Sequence, residues 1–528
     1  MRRTKLLCLA LPLLLLVSLM AVPAYADTAA ALPQVTGQMV YPGVNENVLY
    51  IFHTNDTHGR ITGSLETTDA DAFSSAKLAG YVQTMRDIGH NVLLLDAGDA
   101  VHGKVSANAY RGYSVINTMN HMGYDAMVTG NHEFDYGLDR AIRLAKYAKF
   151  PVLNANLTDE KGNLVFEDML IKEIGGLKVG IFGLSTPETA TKANPKFFAG
   201  YVFQDAVETA KKCVDALKEA GCHYIICLGH IGMDEESPVT STDITDAVEG
   251  IDLFIDGHSH TKLENGKVNN GTLIVSTGEY LKHVGVVKVT FRGIRVKSQK
   301  AWLIQSSDEN YPLLPEHPAT KKRLAYYTDY ARQLSEQVVG QTAEELIGER
   351  EYVRKQQTNL GSLITDAMRI MTDSDIAITN GGGIRATISA GDITYNDILT
   401  VLPFGNWVVV KKMTGADILT VLEESVANYP NLAGGYMHVS GIAFTFDARK
   451  PAGARIDPAD VTVGGRPMDL AAIYTVATNN FLADGGDGSS LGKGSIFGEY
   501  GPMDQMLLEY MQEYGCVYEP GDRVTAIE

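Results

Sequence analysis

Histidine, aspartate and asparagine recur along this chain in short, well-separated clusters: Asp56-Thr57-His58, Gly98-Asp99, Gly130-Asn131-His132-Glu133, His230 and Gly257-His258-Ser259-His260. Imidazole and carboxylate together suit Zn, Mn, Co or similar divalent ions, and the lack of thiolate in the set argues against a structural zinc knot. Asp56, His58, Asp99, Asn131, His230, His258 and His260 make seven donors, enough for two ions. A pair of ions can bind phosphoryl oxygens, generate a hydroxide nucleophile and neutralise developing charge, which is why hydrolytic sites use pairs. One carboxylate must bridge them, and Asp99 is the candidate, because it stands alone after an apolar run with donors both before and after it. His132 and Asp135 are three apart, so one helical turn puts them on the same face. A carboxylate-backed imidazolium there would stabilise the phosphoryl transition state and could protonate the leaving oxygen. Taken singly, each cluster is an ordinary turn and His230 an ordinary structural histidine; their ordered joint occurrence carries the reading.

Such donors need a frame that delivers them to one place. From Val48 to about Phe291, short apolar runs alternate with amphipathic stretches, predicting alternating strands and helices. The runs Val48 to Phe52, Val92 to Leu95, Val179 to Phe182, Tyr224 to Leu228 and Leu253 to Ile255 read as strands, several ending abruptly in Asp, His or Gly. In layered α/β folds, polar groups just beyond strand ends converge on one rim. A polar stretch between Pro312 and Gly340, with helical spacing from Tyr326 to Val338, reads as a linker helix. The remainder repeats the α/β style, with a helix at Leu360 to Met371 and a strand at Ile376 to Thr379. The expected division is a catalytic domain over 47–310, a linker over 311–344 and a second domain over 345–528.

The metal-type clusters resemble those of calcineurin-like metallophosphoesterases. That resemblance implies one ion on Asp56, His58, Asp99 and His260 and the other on Asp99, Asn131, His230 and His258, with Asn131, His132 and Asp135 catalytic. It also implies a four-layer α/β/β/α sandwich. In the second half, Arg350, Arg354, the run Asn380-Gly-Gly-Gly-Ile-Arg385, Pro403-Phe404-Gly405-Asn406 and Phe481 to Asp487 resemble the C-terminal domain of bacterial 5'-nucleotidases, including UDP-sugar hydrolases. The resemblance therefore implies a two-domain hydrolase of nucleotides, with a substrate-binding set of Arg350, Arg354, Asn380, Arg385, Phe404, Asn406, Phe481 and Asp487. Phe404 and Phe481 could sandwich a base, a contact worth about 1–3 kcal/mol per base and tolerant of base identity. The arginines suit phosphate through their planar fork, Asp487 suits ribose hydroxyls and Asn406 the base edge. One departure is His102, which precedes Gly103 where relatives often carry Gln; a plain surface role is expected for it, the alternative being that it faces the site and tunes substrate or metal choice.

Composition fits this reading. Of 528 residues, 45% are hydrophobic and 20% charged, the balance of a globular chain long enough for two domains. Arg2, Arg3 and Lys5, an apolar run from Leu6 to Val22 and then Ala24-Tyr25-Ala26 form the three parts of a secretory signal, with cleavage expected after Ala26. The product would be secreted, periplasmic or on the cell surface, with no stable membrane anchor. Losing those basic residues would take the formal charge from −18 to −21, which repels nucleic acid polymers and leaves a small nucleotide as the expected partner. Cys213, Cys222, Cys227 and Cys516 then remain, in no metal-type spacing. The alternatives are a UDP-sugar or 2',3'-cyclic-nucleotide phosphodiesterase, since the same ions serve monoesters and diesters, and an inactive secreted nucleotide-binding protein.

Overall fold

The computed structural model describes residues 47–63, 71–192, 195–234, 237–519 and 521–528. The signal and its cleavage position lie outside the described residues. Two six-stranded mixed sheets form the first half. In one, the order is Arg295–Gln305, His283–Arg292, Val48–Thr54, Asn91–Asp96, Ala126–Val128 and Val152–Leu153. In the other it is Lys267–Asn269, Thr272–Val275, Leu253–Ile255, Tyr224–His230, Leu177–Ser185 and Met169–Ile174. Leu49, Ile51, Leu93 and Leu95 from the first sheet share one core with Val179, Ile181, Ile226 and Leu228 from the second. Phe182, Cys227 and Phe254, on the opposite face of the second sheet, pack with Ala210, Val214 and Leu217 of the helix Ala206–Glu219. Being covered on both faces explains why the strands read as unbroken apolar runs.

Parallel pairing places the donors. Val48–Thr54 runs parallel to Asn91–Asp96, with Thr54 opposite Asp96, and Ala126 pairs parallel with Leu95, so the chain leaves these three strands at the same end. In the second sheet, Ser185 lies opposite His230 and Leu228 opposite Ile255, again in parallel. The two rims meet where His230 Nδ1 donates to the Ala97 carbonyl at 2.7 Å.

The linker differs in extent from the reading above. The helix is Pro318–Ser335, with proline in its first turn, where a missing N–H costs nothing. Val338–Thr342, expected at the helix end, is a strand paired with Gly391–Thr394. The helix belongs with the first half: it packs on Ser75–Asp87, and Tyr327 donates to Asn117 Oδ1 at 3.0 Å.

A five-stranded sheet organises the second half, ordered Met437–Ser440, Ile376–Asn380, Ile473–Asn479, Trp407–Thr414 and Ser495–Pro502. The helix Asn359–Thr372 covers it, capped by Thr358 accepting from the Gly361 N–H. Among the described residues no helix is long and apolar enough to cross a membrane, and Cys213, Cys222, Cys227 and Cys516 are free thiols.

Candidate active site

All seven donors stand at the rim where the two sheets meet. Their side chains form overlapping groups: Asp56 with His58 and His260, His58 with Asp99 and His132, and Asp99 with His230 and His258. Asn131 joins the last group, its Oδ1 lying 3.3 Å from His230 Nε2 and 2.9 Å from His258 Nδ1. Asp99 is central to the array. Its Oδ1 accepts from the His132 N–H at 2.8 Å, and its Oδ2 lies 3.1 Å from His230 Nε2. Gly130 makes this approach possible, since a Cβ there would sit 2.1 Å from Asp99 Oδ1.

Local backbone geometry turns five of the seven donors inward. Asp56, His58, Asp99, His258 and His260 all have positive φ, between 42° and 78°. Left-handed backbone is costly for such residues and persists only where surroundings hold it. Two buried carboxylates do that holding. Glu133 accepts from the N–H groups of Asp99 and Ala100 at 2.8 Å, Val101 at 3.3 Å and Gly130 at 2.5 Å, tying two donor loops together. Asp256 accepts from Ile231, Gly232 and Gly257 at 3.2, 3.0 and 2.9 Å, joining the His230 and His258 loops. Asn55 Nδ2 fixes Asp56 Oδ2 at 2.7 Å.

The donor chemistry fits a cation. His230 gives its Nδ1 proton to a carbonyl, so its Nε2 is the nitrogen that faces Asp99 Oδ2 and Asn131 Oδ1, both of them acceptors. His260 Nδ1 faces Glu279 at 2.8 Å, leaving its Nε2 3.2 Å from His58 Nε2 and 3.5 Å from Asp56 Oδ1. Acceptors converging there need positive charge between them, supplied by a ring proton or by a metal ion. The imidazoles report the same preference. Burial disfavours charge on His230, yet Asp99 and then Asp56 push its pKa up to about 10. Against its own burial, His260 reaches about 10 under Asp56 and Glu279. Burial likewise opposes ionisation of Asp99, but His230, His132 and His58 hold its pKa well below the usual carboxylate range. Burial pulls His58 well down.

His132 begins a short 3-10 turn, and its Nδ1 lies 2.8 Å from Asp135 Oδ2. Burial opposes its charge, but Asp135 and Asp99 lift it to about 9, while burial raises Asp135 to about 7 despite the ring beside it. The direction that counts is upward for the imidazole, because the adjacent carboxylate favours the protonated ring. His132 Nε2 stands 4.0 Å from Asp99 Oδ2, so the dyad faces the donor array. His102 is a correction to the surface expectation: it is 2% exposed, 3.4 Å from Asp135 Oδ2, and held well below its ordinary pKa by burial. The loop after Asp99 turns inward here, and Tyr136 and Trp407 enclose the ring.

A pocket holds His58, Asp99, Asn131, His132, His258 and His260 on one wall and Trp407, Asp484 and Glu499 on the other. The Trp407 ring lies 4.1 Å from His132, 4.6 Å from His102 and 5.9 Å from His58, centre to centre. Phe404, Phe481 and the three arginines do not line it. They gather on a separate face of the second half. Burial, then Arg350 and Arg385, lower the Arg354 pKa while Asp487 opposes, and the Arg385 guanidinium stands 5.5 Å over the Phe404 ring. Asn380 is buried and donates to Asp487 Oδ2 at 2.9 Å. Phe404 and Phe481 are 58% and 42% exposed, so both rings reach solvent. Asn406 lines a narrow cleft with Phe404, Gly383 and Asn479. Trp407, Glu133, Asp256, Glu188 and Glu279 escaped the sequence reading; only Glu133 had a local signal, as the fourth residue of Gly-Asn-His-Glu.

The profile of the calcineurin-like phosphoesterases matches residues 49–262, and that of the 5'-nucleotidase C-terminal domain matches residues 338–493. Fold and donors thus define a metallophosphoesterase with a nucleotidase-type second domain. The chain is 31% identical over 528 residues to 5'-nucleotidase of Homo sapiens, covering 90% of this chain and 89% of that protein. It is 33% identical over 527 residues to a trifunctional nucleotide phosphoesterase of Bacillus subtilis, covering 89% of this chain but only 34% of that relative's length. A solved 5'-nucleotidase precursor of Thermus thermophilus is 32% identical with a TM-score of 0.55, covering 91% of this chain and 99% of the other. The Haemophilus influenzae NAD nucleotidase, at 23% identity and a TM-score of 0.72, covering 91% of this chain and 99% of its own, shares the fold. The chain belongs to the 5'-nucleotidase family. Family and donor clusters together support metal-dependent hydrolysis of nucleotide phosphoesters.

Proposed function

We propose that this protein is an exported 5'-nucleotidase that removes phosphate from nucleoside 5'-monophosphates, and extends to di- and triphosphates, using two divalent ions. The observation that carries the reading is the set of overlapping donor groups meeting at Asp99, in a chain that matches both domains of the family. Asp56, His58, Asp99 and His260 would hold one ion, and Asp99, Asn131, His230 and His258 the other. Bound there, the ions supply Lewis acidity toward phosphoryl oxygens and a nucleophile from water at neutral pH.

The chain's own groups do the rest. His132, kept protonated by Asp135, donates to a phosphoryl oxygen or to the leaving oxygen, offsetting charge that grows in the transition state. Arg350, Arg354 and Arg385 hold nucleotide oxygens, Phe404 and Phe481 flank the base, Asn406 meets its edge, and Asp487, steadied by Asn380, accepts from ribose hydroxyls. Because the base-binding face lies outside the donor pocket, the second half turns to bring phosphate to the ions. The shared core of the two first-half sheets supports a four-layer sandwich, and the tripartite leader supports export.

The test is product formation from AMP, UDP-glucose and 2',3'-cyclic AMP, with nucleoside, nucleoside monophosphate and glucose 1-phosphate separated by chromatography and Zn, Mn and Co supplied separately. AMP turnover well above the other two is expected. Negligible AMP turnover beside active cleavage of UDP-glucose or the cyclic nucleotide would make the protein a phosphodiesterase instead.

A further inference from the structure

We infer that Glu188 and Glu279 are the positioning residues that set the ring tautomers of His258 and His260, one carboxylate for each ion. Glu279 Oε2 lies 2.8 Å from His260 Nδ1, and Glu188 Oε2 lies 3.4 Å from His258 Nε2. The two carboxylates grip opposite nitrogens. A proton held on His260 Nδ1 leaves the Nε2 lone pair pointing at His58 and Asp56; a proton held on His258 Nε2 leaves the Nδ1 lone pair pointing at Asn131. The two histidines stand two residues apart in one loop, and each needs the opposite tautomer to face its own donor group. Nothing in the Gly-His-Ser-His segment itself selects between tautomers, so the choice must come from outside it.

Both carboxylates are themselves fixed. Ser237 Oγ donates to Glu188 Oε2 at 2.8 Å, and Lys282 Nζ stands 3.5 Å from Glu279 Oε1. Glu188 follows the strand Leu177–Ser185, and Glu279 follows Thr272–Val275, so the supports come from two places remote in sequence from the ligands. A charged acceptor on the far nitrogen raises the basicity of the near one, and loss of such a partner typically weakens metal binding about 10–100-fold.

This inference rests on the two-ion reading above. The experiment titrates Mn into chelator-stripped wild type, Glu188→Gln, Glu279→Gln and the double variant by calorimetry. Thermal melting of each stripped protein is followed, and 15N NMR of histidine-labelled, Zn-loaded protein reports which ring nitrogen carries the proton. Expected are two tight sites in wild type, one weakened about 10–100-fold in each single variant, both in the double variant, and unchanged melting of the stripped chains. The ring proton should sit on Nε2 in His258 and Nδ1 in His260. Two sites of wild-type affinity in the single variants, equal weakening of both sites with lowered melting, or the reverse tautomers would overturn the inference while leaving the two-ion reading intact. A wild type that binds no Mn would overturn both.

Discussion

Glu133 offers a prediction whose size follows from its contacts. Its Oε2 accepts from Asp99 and Gly130 and its Oε1 from Ala100 and Val101, all buried. Glu133→Gln keeps the shape but turns one oxygen into an NH2 group that faces two N–H donors. Each buried group left without its partner costs about 1–3 kcal/mol, so two cost about 2–6 kcal/mol. Part is recovered. Burial and the Asp99 charge already raise the Glu133 pKa, so removing its charge relieves a desolvation penalty and a repulsion. A net loss of about 2–4 kcal/mol is expected, which at roughly 2–4 °C per kcal/mol for a domain of this size lowers melting by about 4–16 °C. The Asp99 and Gly130 loops also lose their common anchor, so metal affinity should fall along with stability. Differential scanning calorimetry and metal titration on the variant read both. A Glu133→Gln protein that melts within about 1 °C of wild type and keeps full metal affinity would refute the reasoning, because the hydrogen-bond penalty alone exceeds that margin.

Asp99→Ala should abolish both metal occupancy and turnover; a variant that retains two ions by elemental analysis would remove Asp99 from the bridging position. Phe481→Ala should raise KM for AMP far more than for phenyl phosphate, since only the nucleotide carries a base to stack, and equal effects on both would mean that Phe481 does not read the base. Acid stability should depend on His438. Burial lowers its pKa from 6.5 to about 4, with the ring packed against the Val353 carbonyl at 2.9 Å. The unfolded chain therefore binds the proton first: the stabilisation is complete above pH 6.5 and is lost as pH falls toward 4, by about 3 kcal/mol at most. Between pH 6.5 and 4.5, His438→Gln should lose less stability in urea titrations than wild type, and identical pH slopes would contradict the assignment.

The strands and the donors were legible for the same reason. Runs such as Val48–Thr54 and Tyr224–His230 are buried along their whole length, so apolar sequence marks them, and the polar residue that ends each run marks the rim. The His132–Asp135 contact followed from spacing alone. Glu188, Glu279 and Asp256 were not legible, because their roles are fixed by loops that meet only in the folded chain. The left-handed backbone at Asp56, His58, Asp99, His258 and His260 also leaves no mark in composition, since none of them is glycine. His102 and Trp407 belong to different halves, and their meeting at 4.6 Å depends on how the second half packs against the first, which no motif in either half encodes. The same holds for the base-binding face: Arg350, Arg354, Arg385 and Phe404 gather locally, but sequence did not show that Trp407, Asp484 and Glu499 face the donors instead.

The central claim is that seven donors grip two cations around Asp99. Anomalous diffraction from Mn-loaded crystals at the Mn absorption edge tests it most directly. Two peaks are expected, one on each side of the Asp99 carboxylate, with Asp56, His58 and His260 around the first and Asn131, His230 and His258 around the second. A single peak, none, or density remote from Asp99 would contradict it.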